Sequence, residues 1–442
     1  MRTTVAKDSR LALRKYSFYR SKIVNPISDT KCEYWPDGVL VVQNKKIVEI
    51  LSYSDACSKY VEAFGNSNLH EFPQGVIVPA FFDMHFHWVQ DDVRLMPKAS
   101  LLEWLEKYTF PSEAKFKNKS YARKKAQHFF KRLVSVGTLG GACYSSVHDH
   151  ALDEAMEAVV GDVLVGNVLM TQESPKSLQQ TAVKAITAAK RGMKKYGNKY
   201  VLTPRFAIAT DPHTMKETAS QADKKKIFKQ SHLSETPGEI DFVLGQYRGM
   251  KGFEKVKSYT EIYHKTGMLG PRSLMGHAIH VGPDELKLLK KTKTVLVHCP
   301  TSNAPIKERG LGSGLFDFKK TEKAGVRWAL GSDIGGGPFL SMLDVMASFV
   351  AQNRRAKDSG ATFIKALYRA TLAGAEILGV DKRTGSLKRG KEANFVVLDC
   401  PKGAYKDAEG LLHALIGQTK KREHYDQKVR GTFWQDEALF LR

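Results

Sequence analysis

Phe82-Asp83-Met84-His85-Phe86-His87 reads as a β-strand that ends in two imidazoles. Residues i and i+2 of a strand point to the same face, so His85 and His87 offer two ring nitrogens to one point in space, half of a metal site. Taken singly, such a pair is more often polar or core packing than a ligand set. Outward from it, seven further short apolar or β-branched runs follow, at 138–144, 163–170, 200–208, 229–233, 273–278, 294–299 and 327–333. Amphipathic stretches separate them. Ala126, Phe129, Phe130, Leu133 and Val134 recur at helical spacing, and 181–196 also reads as helix. Eight strands alternating with helices predict an α/β protein built on a closed, TIM-like (β/α)8 barrel. The competing open, doubly wound sheet lacks a Gly-x-Gly-x-x-Gly after its first strand.

The flanks differ from this centre. Runs at 38–42 and 46–51 surround a polar turn, and 394–398 and 429–433 look similar, so both ends of the chain are expected to build one small composite β-sandwich. The expected division is 1–74 for the first part of the sandwich, 75–380 for the barrel and 381–442 for the second part. The first dozen residues are expected to be poorly ordered. Residues 1–18 are basic without an apolar run and no 18-residue apolar stretch occurs, so no signal peptide or membrane span is read and a cytoplasmic protein is expected. Five scattered cysteines without a Cys-x-x-Cys pair suggest neither a disulfide framework nor a thiolate metal site. The formal charge of +23 would suit a polyanion. Its lysines are dispersed over helix-like segments such as Lys224-Lys225-Lys226, without interleaved aromatics, so a solvated basic surface and no specific nucleic-acid partner are expected.

In such a barrel the functional side chains stand at the carboxyl ends of the strands. His85 and His87 end strand one, Arg205 lies late in strand four, His232 ends strand five, His277 strand six and Asp333 strand eight. Imidazoles with one carboxylate suit a borderline divalent ion such as zinc, which makes a water acidic enough to act as hydroxide near neutral pH. Glu235, three residues after His232, is a carboxylate free to shuttle protons.

The stretch from Pro79-Ala80-Phe81-Phe82 to His87, with Ser231-His232-Leu233-Ser234-Glu235, Gly276-His277 and Gly331-Ser332-Asp333, resembles the amidohydrolase superfamily in its single-metal deaminase branch. More narrowly, four motifs are similar to the guanine deaminase family. They are Leu101-Leu102-Glu103-Trp104-Leu105-Glu106-Lys107-Tyr108-Thr109-Phe110-Pro111, Thr203-Pro204-Arg205-Phe206, His298-Cys299-Pro300-Thr301-Ser302-Asn303, and Asp333-Ile334-Gly335-Gly336-Gly337 with Ser341-Met342-Leu343. The resemblance implies His85, His87, His232 and Asp333 as ligands of one zinc ion per chain. It implies Glu235 as proton shuttle, His277 as hydrogen-bond partner of the attacking water and Asp333 as its base. Gln90, Arg205 and Phe206 would then meet a purine, with Trp104 in the pocket wall. Hydrolysis of guanine to xanthine and ammonia is the implied reaction on a small-molecule substrate, with a homodimer left open. Arginine's planar fork matches the O6 and N7 acceptors of guanine.

Other assignments compete. Within the class stands a deaminase of another aminated heterocycle, such as a modified purine, a pterin, a triazine or an adenosine derivative. A metal-free scaffold on the same barrel would be expected to lack ligands. A polynucleotide base editor would carry His-x-Glu and Pro-Cys-x-x-Cys, both absent. His148 and His280 near strand ends are read as structural, and His298 as part of a loop motif. Three departures from the family pattern stand out: a longer link at 304–310, Thr171 where an acidic residue is usual, and Ala80 where glycine is usual. The link is expected near the pocket.

Overall fold

A computed structural model describes residues 16–61, 63–64, 68–417 and 425–442; the expectation for the first dozen residues falls outside them. The strands are Tyr16–Pro26 (β1), Cys32–Gln43 (β2), Lys46–Ser52 (β3) and Leu69–Pro79 (β4). Eight follow: Phe81–His87 (β5), Thr138–Ser145 (β6), Asp162–Leu169 (β7), Val201–Pro204 (β8), Phe228–Leu233 (β9), Ser273–His277 (β10), Val295–His298 (β11) and Trp328–Leu330 (β12). The last three are Phe395–Asp399 (β13), Val429–Trp434 (β14) and Glu437–Leu441 (β15). Packing divides the chain into two compact units, one of 1–82, 133–139 and 361–442, the other of 83–132 and 140–360.

The first unit carries a seven-stranded sheet in the order β15-β14-β13-β4-β1-β2-β3, so strands from both ends of the chain share one sheet. β1 runs antiparallel to β2 and parallel to β4, and β13 joins β4 antiparallel with Val397 opposite Ile77. A bridge from Lys46 to Glu392 brings the β3 edge round to the segment before β13, which bends the sheet onto itself as a sandwich. Its interior alternates with the pleat: Tyr19, Ile23, Leu40, Val42, Ile77, Phe395, Val397 and Phe433 pack together on one face. β1 and β4, long strands that mix polar with apolar residues, were not among the runs expected from apolar content.

In the second unit β5 to β12 follow one another in sequence order, with parallel pairing recorded from β6 through β12. The ring is closed where Asp333 N donates to His85 O at 2.8 Å. That is the expected (β/α)8 barrel. Its strands are buried on both faces and read as nearly continuous apolar runs. The helix Lys119–Ser135 and the helix Ala182–Tyr196 confirm the two helical readings. The latter is capped by Thr181, whose side chain accepts from Lys184 N, and it buries Ala185, Ala188, Ala189 and Met193 as a stripe.

Two strand ends need correction. β8 stops at Pro204, because Phe206 begins a turn in which Ala209 N and Thr210 N both donate to Phe206 O, at 3.1 and 3.2 Å. Arg205 therefore sits just past the strand. β12 stops at Leu330, and Asp333 lies in the following loop with φ +47°. Among the described residues no helix is long and apolar enough to cross a membrane.

Candidate active site

The carboxyl ends of the barrel strands bring the histidines together. His85 and His87 project from β5, His232 from β9 and His277 from the end of β10, with Asp333 after β12. One ligand-type atom from each of His85, His87, His232 and Asp333 lies within 4.8 Å of the others. His85 Nε2 and His87 Nε2 are each 3.3 Å from Asp333 Oδ1, and His87 Nε2 is 3.1 Å from His232 Nε2. Burial keeps the rings neutral: it lowers His85 to about 4 against the pull of Asp333 and holds His87 and His232 below the usual range. Burial alone would raise Asp333, but the imidazoles of His85 and His87 beside it outweigh burial and hold its carboxyl well below the usual carboxylate range. His232 Nδ1 lies 2.6 Å from the Arg205 carbonyl, which can only accept, so Nδ1 carries the proton and Nε2 turns its lone pair inward. His85 Nε2 is buried with no hydrogen-bond partner. Neutral nitrogens converging around one carboxylate fit a divalent cation and little else.

Small residues make room for this cluster. A Cβ on Gly276 would come within 2.5 Å of His85 Cε1, and one on Gly331 within 2.8 Å of His85 Cβ. Asp83, fully buried below, accepts from Ser332 N at 2.8 Å and so ties β5 to the loop that carries Asp333. Ser234, His277, Ala278 and Asp333 all hold positive φ without being glycine, a concentration of backbone strain typical of a working site.

Glu235 stands beside the cluster and is 2 % exposed. Burial, and after it the charge of Asp333, pushes its carboxyl well above the usual range. Glu235 Oε1 accepts from Asn303 Nδ2 at 3.2 Å and from Ser313 Oγ at 3.1 Å; Asn303 Nδ2 is also 3.1 Å from His277 Nδ1. Glu239 Oε2 accepts from Glu235 N at 2.8 Å while closing the capping box of the helix Pro237–Arg248. None of Asn303, Ser313 and Glu239 was assigned a role from the sequence. Thr236-Pro237-Gly238-Glu239 is a legible capping-box signature, but its bond to Glu235 is not.

Above the cluster lies a small pocket lined by His87, Gln90, Trp104, Arg205, Phe206, His232, Glu235 and Asp333, with Leu101, Leu105, Glu239, Leu311 and Gly336. All four residues expected to meet the purine are in this wall. Tyr144, also missed, packs against the imidazoles, its ring 4.4 Å from that of His87 and 4.6 Å from that of His85. Leu311, just past the long link, lines the pocket, its N donating to Ser302 O at 2.6 Å, while residues 304–310 stay outside the lining. Glu308 pairs with Arg355 at 2.8 Å. Thr171 Oγ1 donates to Asp211 Oδ2 at 2.5 Å, so the acidic group near strand three comes from Asp211. His298 stacks on Phe316 with rings 4.7 Å apart, and His280 Nε2 lies 2.9 Å from Ser313 O; His148 stacks on His150.

A parallel barrel with a histidine-rich, cation-ready cluster and a buried carboxyl group beside it at its carboxyl end defines a metal-dependent hydrolytic enzyme. The amidohydrolase family pattern matches residues 76–431, and the chain belongs to that family. It is 31% identical over 375 residues to guanine deaminase of Escherichia coli (strain K12), covering 82% of this chain and 81% of that one. The solved structure of the E. coli guanine deaminase superposes with a TM-score of 0.84 at 25% identity, covering 97% and 99% of the two chains. That of guanine deaminase from C. acetobutylicum, with bound guanine in the active site, gives 0.80 at 26% identity, covering 96% and 100%.

Proposed function

We infer that this protein hydrolyses guanine to xanthine and ammonia. The observation that carries the reading is a buried arginine, Arg205, facing the same small pocket as the buried carboxyl of Glu235 and the four-donor cluster. The names of its relatives support the substrate. One zinc ion per chain, held by His85, His87, His232 and Asp333, would supply the Lewis acidity that makes a water nucleophilic near neutral pH.

The chain's own groups do the rest. Arg205 presents N–H donors to the acceptor edge of the base, Gln90 approaches from the β5 side, and Phe206 and Trp104 confine the ring in an apolar slot. Glu235 delivers its proton to the ring nitrogen beside C2, regains one from the attacking water and passes it to the amino group that leaves as ammonia. His277 Nε2 and Asp333 Oδ2, 3.9 Å apart, take the water's other proton as the C2 carbonyl forms and return it to Glu235, which restores the starting state. Asn303 and Ser313 keep Glu235 Oε1 aimed. The catalytic domain in this reading spans 75–380 between sandwich parts 1–74 and 381–442, and the enzyme acts in the cytoplasm on free base.

The test is ammonia release from free purines by the zinc-loaded enzyme. Guanine is expected to be favoured over adenine by roughly 10⁴, because adenine's amino group would oppose the arginine donors and leave them unpaired. Turnover of a pterin, a triazine or an adenosine derivative with guanine untouched would keep the chemistry and refute the substrate.

A further inference from the structure

We propose that Glu113, a residue outside the cavity lining, positions the base-reading pair Arg205 and Gln90 and cancels the arginine's charge, so that the pocket selects a neutral purine over its anion. The inference rests on the guanine reading above. Glu113 is fully buried and Arg205 is 2 % exposed. Arg205 Nη1 donates to Glu113 Oε2 at 2.7 Å, and Gln90 Nε2 donates to Glu113 Oε1 at 2.9 Å. The same Gln90 nitrogen lies 3.1 Å from His87 Nδ1. One carboxylate thus links both residues that face the substrate and, through Gln90, a histidine of the four-donor cluster.

Local structure explains how the carboxylate gets there. Glu113 and Phe110 are three residues apart in the helix Phe110–Ala114, hence on one face of it. Phe110 lays its ring 5.2 Å from the Arg205 guanidinium carbon while Glu113 takes Nη1. Among the described residues the Arg205 side chain donates from Nη1 alone, and its Nε and Nη2 are left for a ligand. A carboxylate on Nη1 and an aromatic face against the plane fix the fork before any substrate arrives.

Charge gives the second consequence. A buried guanidinium without a partner would draw an anion, whereas the Arg205–Glu113 pair is neutral as a unit and favours a neutral hydrogen-bonding base. Xanthine, the product, is a stronger acid than guanine. Glu113 therefore helps product leave as well as substrate bind.

The experiment compares the zinc-loaded full-length wild type with Glu113→Gln and Glu113→Asp, measuring KM and kcat for guanine, competitive inhibition by xanthine at neutral and alkaline pH, and bound metal. Loss of a charge-assisted bond predicts a KM for guanine raised roughly 10- to 100-fold in Glu113→Gln, with kcat much less affected. Its metal content stays at the wild-type level, and xanthine inhibits more tightly relative to guanine, increasingly so at alkaline pH. Glu113→Asp, which keeps the charge and shortens the reach, should raise KM while leaving the xanthine preference as in the wild type. A merely structural role would reduce the yield of folded enzyme without moving KM or the xanthine ratio. A KM within about twofold of wild type in whichever variants fold overturns the proposal. A wild type inert toward guanine would instead remove the underlying reading, and this inference with it.

Discussion

Replacing Gly276 by alanine should empty the metal site without touching a ligand. The added methyl would sit 2.5 Å from His85 Cε1, 2.6 Å from Nδ1 and 3.4 Å from Nε2. Carbon atoms rest about 3.5 to 4.0 Å apart, so the ring has to withdraw by about 1 Å. Its retreat is blocked, since the Tyr144 ring lies 4.6 Å from it and the backbone before Asp333 packs against His85 Cβ. Metal–ligand distances tolerate only about 0.2 Å, a fifth of the required shift. Affinity should fall by at least about 10²-fold, at the upper end of what indirect perturbation of a ligand produces. Overpacking should cost about 1–3 kcal/mol, within the usual 5–15 kcal/mol of stability, so the chain stays folded. The assay is elemental analysis after dialysis against a graded chelator, with circular dichroism to establish folding. Gly245→Ala, whose new Cβ would meet nothing within 4 Å, is the matched control. A folded Gly276→Ala protein that holds its metal as tightly as the wild type would refute the reasoning.

Glu235→Gln should retain its metal and lose roughly 10²- to 10⁴-fold in kcat, because the amide accepts the same Asn303 and Ser313 bonds but transfers no proton; near-normal turnover of the metal-loaded variant would end that role. Asp211 caps the helix Pro212–Lys224 and accepts from Thr171 and Thr214; burial would raise its carboxyl, but these bonds outweigh it and lower it. Its stabilising contribution is therefore present above the unfolded value of about 3.9 and lost as pH falls through the lower folded value. Asp211→Asn should cost about 1 kcal/mol in urea unfolding at neutral pH, the gap closing in acid, and a pH-independent gap would be the contrary result.

Which parts of this molecule could be read in its sequence follows from how local each determinant is. The barrel was legible because each strand is a short run bounded by helical periodicity, and the cluster because His85 and His87 are an i, i+2 pair while His232, His277 and Asp333 recur at later strand ends. The apolar run 206–208 looks like strand, and only the turn closed on Phe206 O reveals otherwise. That turn has a use: it lets Arg205 and Phe206, adjacent in sequence, both reach the cavity, which adjacent residues of a regular strand, pointing to opposite faces, could not do. The sandwich strands β1 and β4 escaped notice because polar residues, Arg20, Ser21 and Lys22 in β1 and His70, Glu71 and Gln74 in β4, interrupt the apolar signal. Glu113, Asn303, Ser313 and Glu239 escaped for a deeper reason. A charged or polar residue on a short helix or in a loop is read as exposed, and only long-range packing turns it inward against Arg205 or Glu235. The ligands are thus written in strand-end spacing, while the groups that aim them are written only in the fold, where a buried carboxylate survives because it meets its partner.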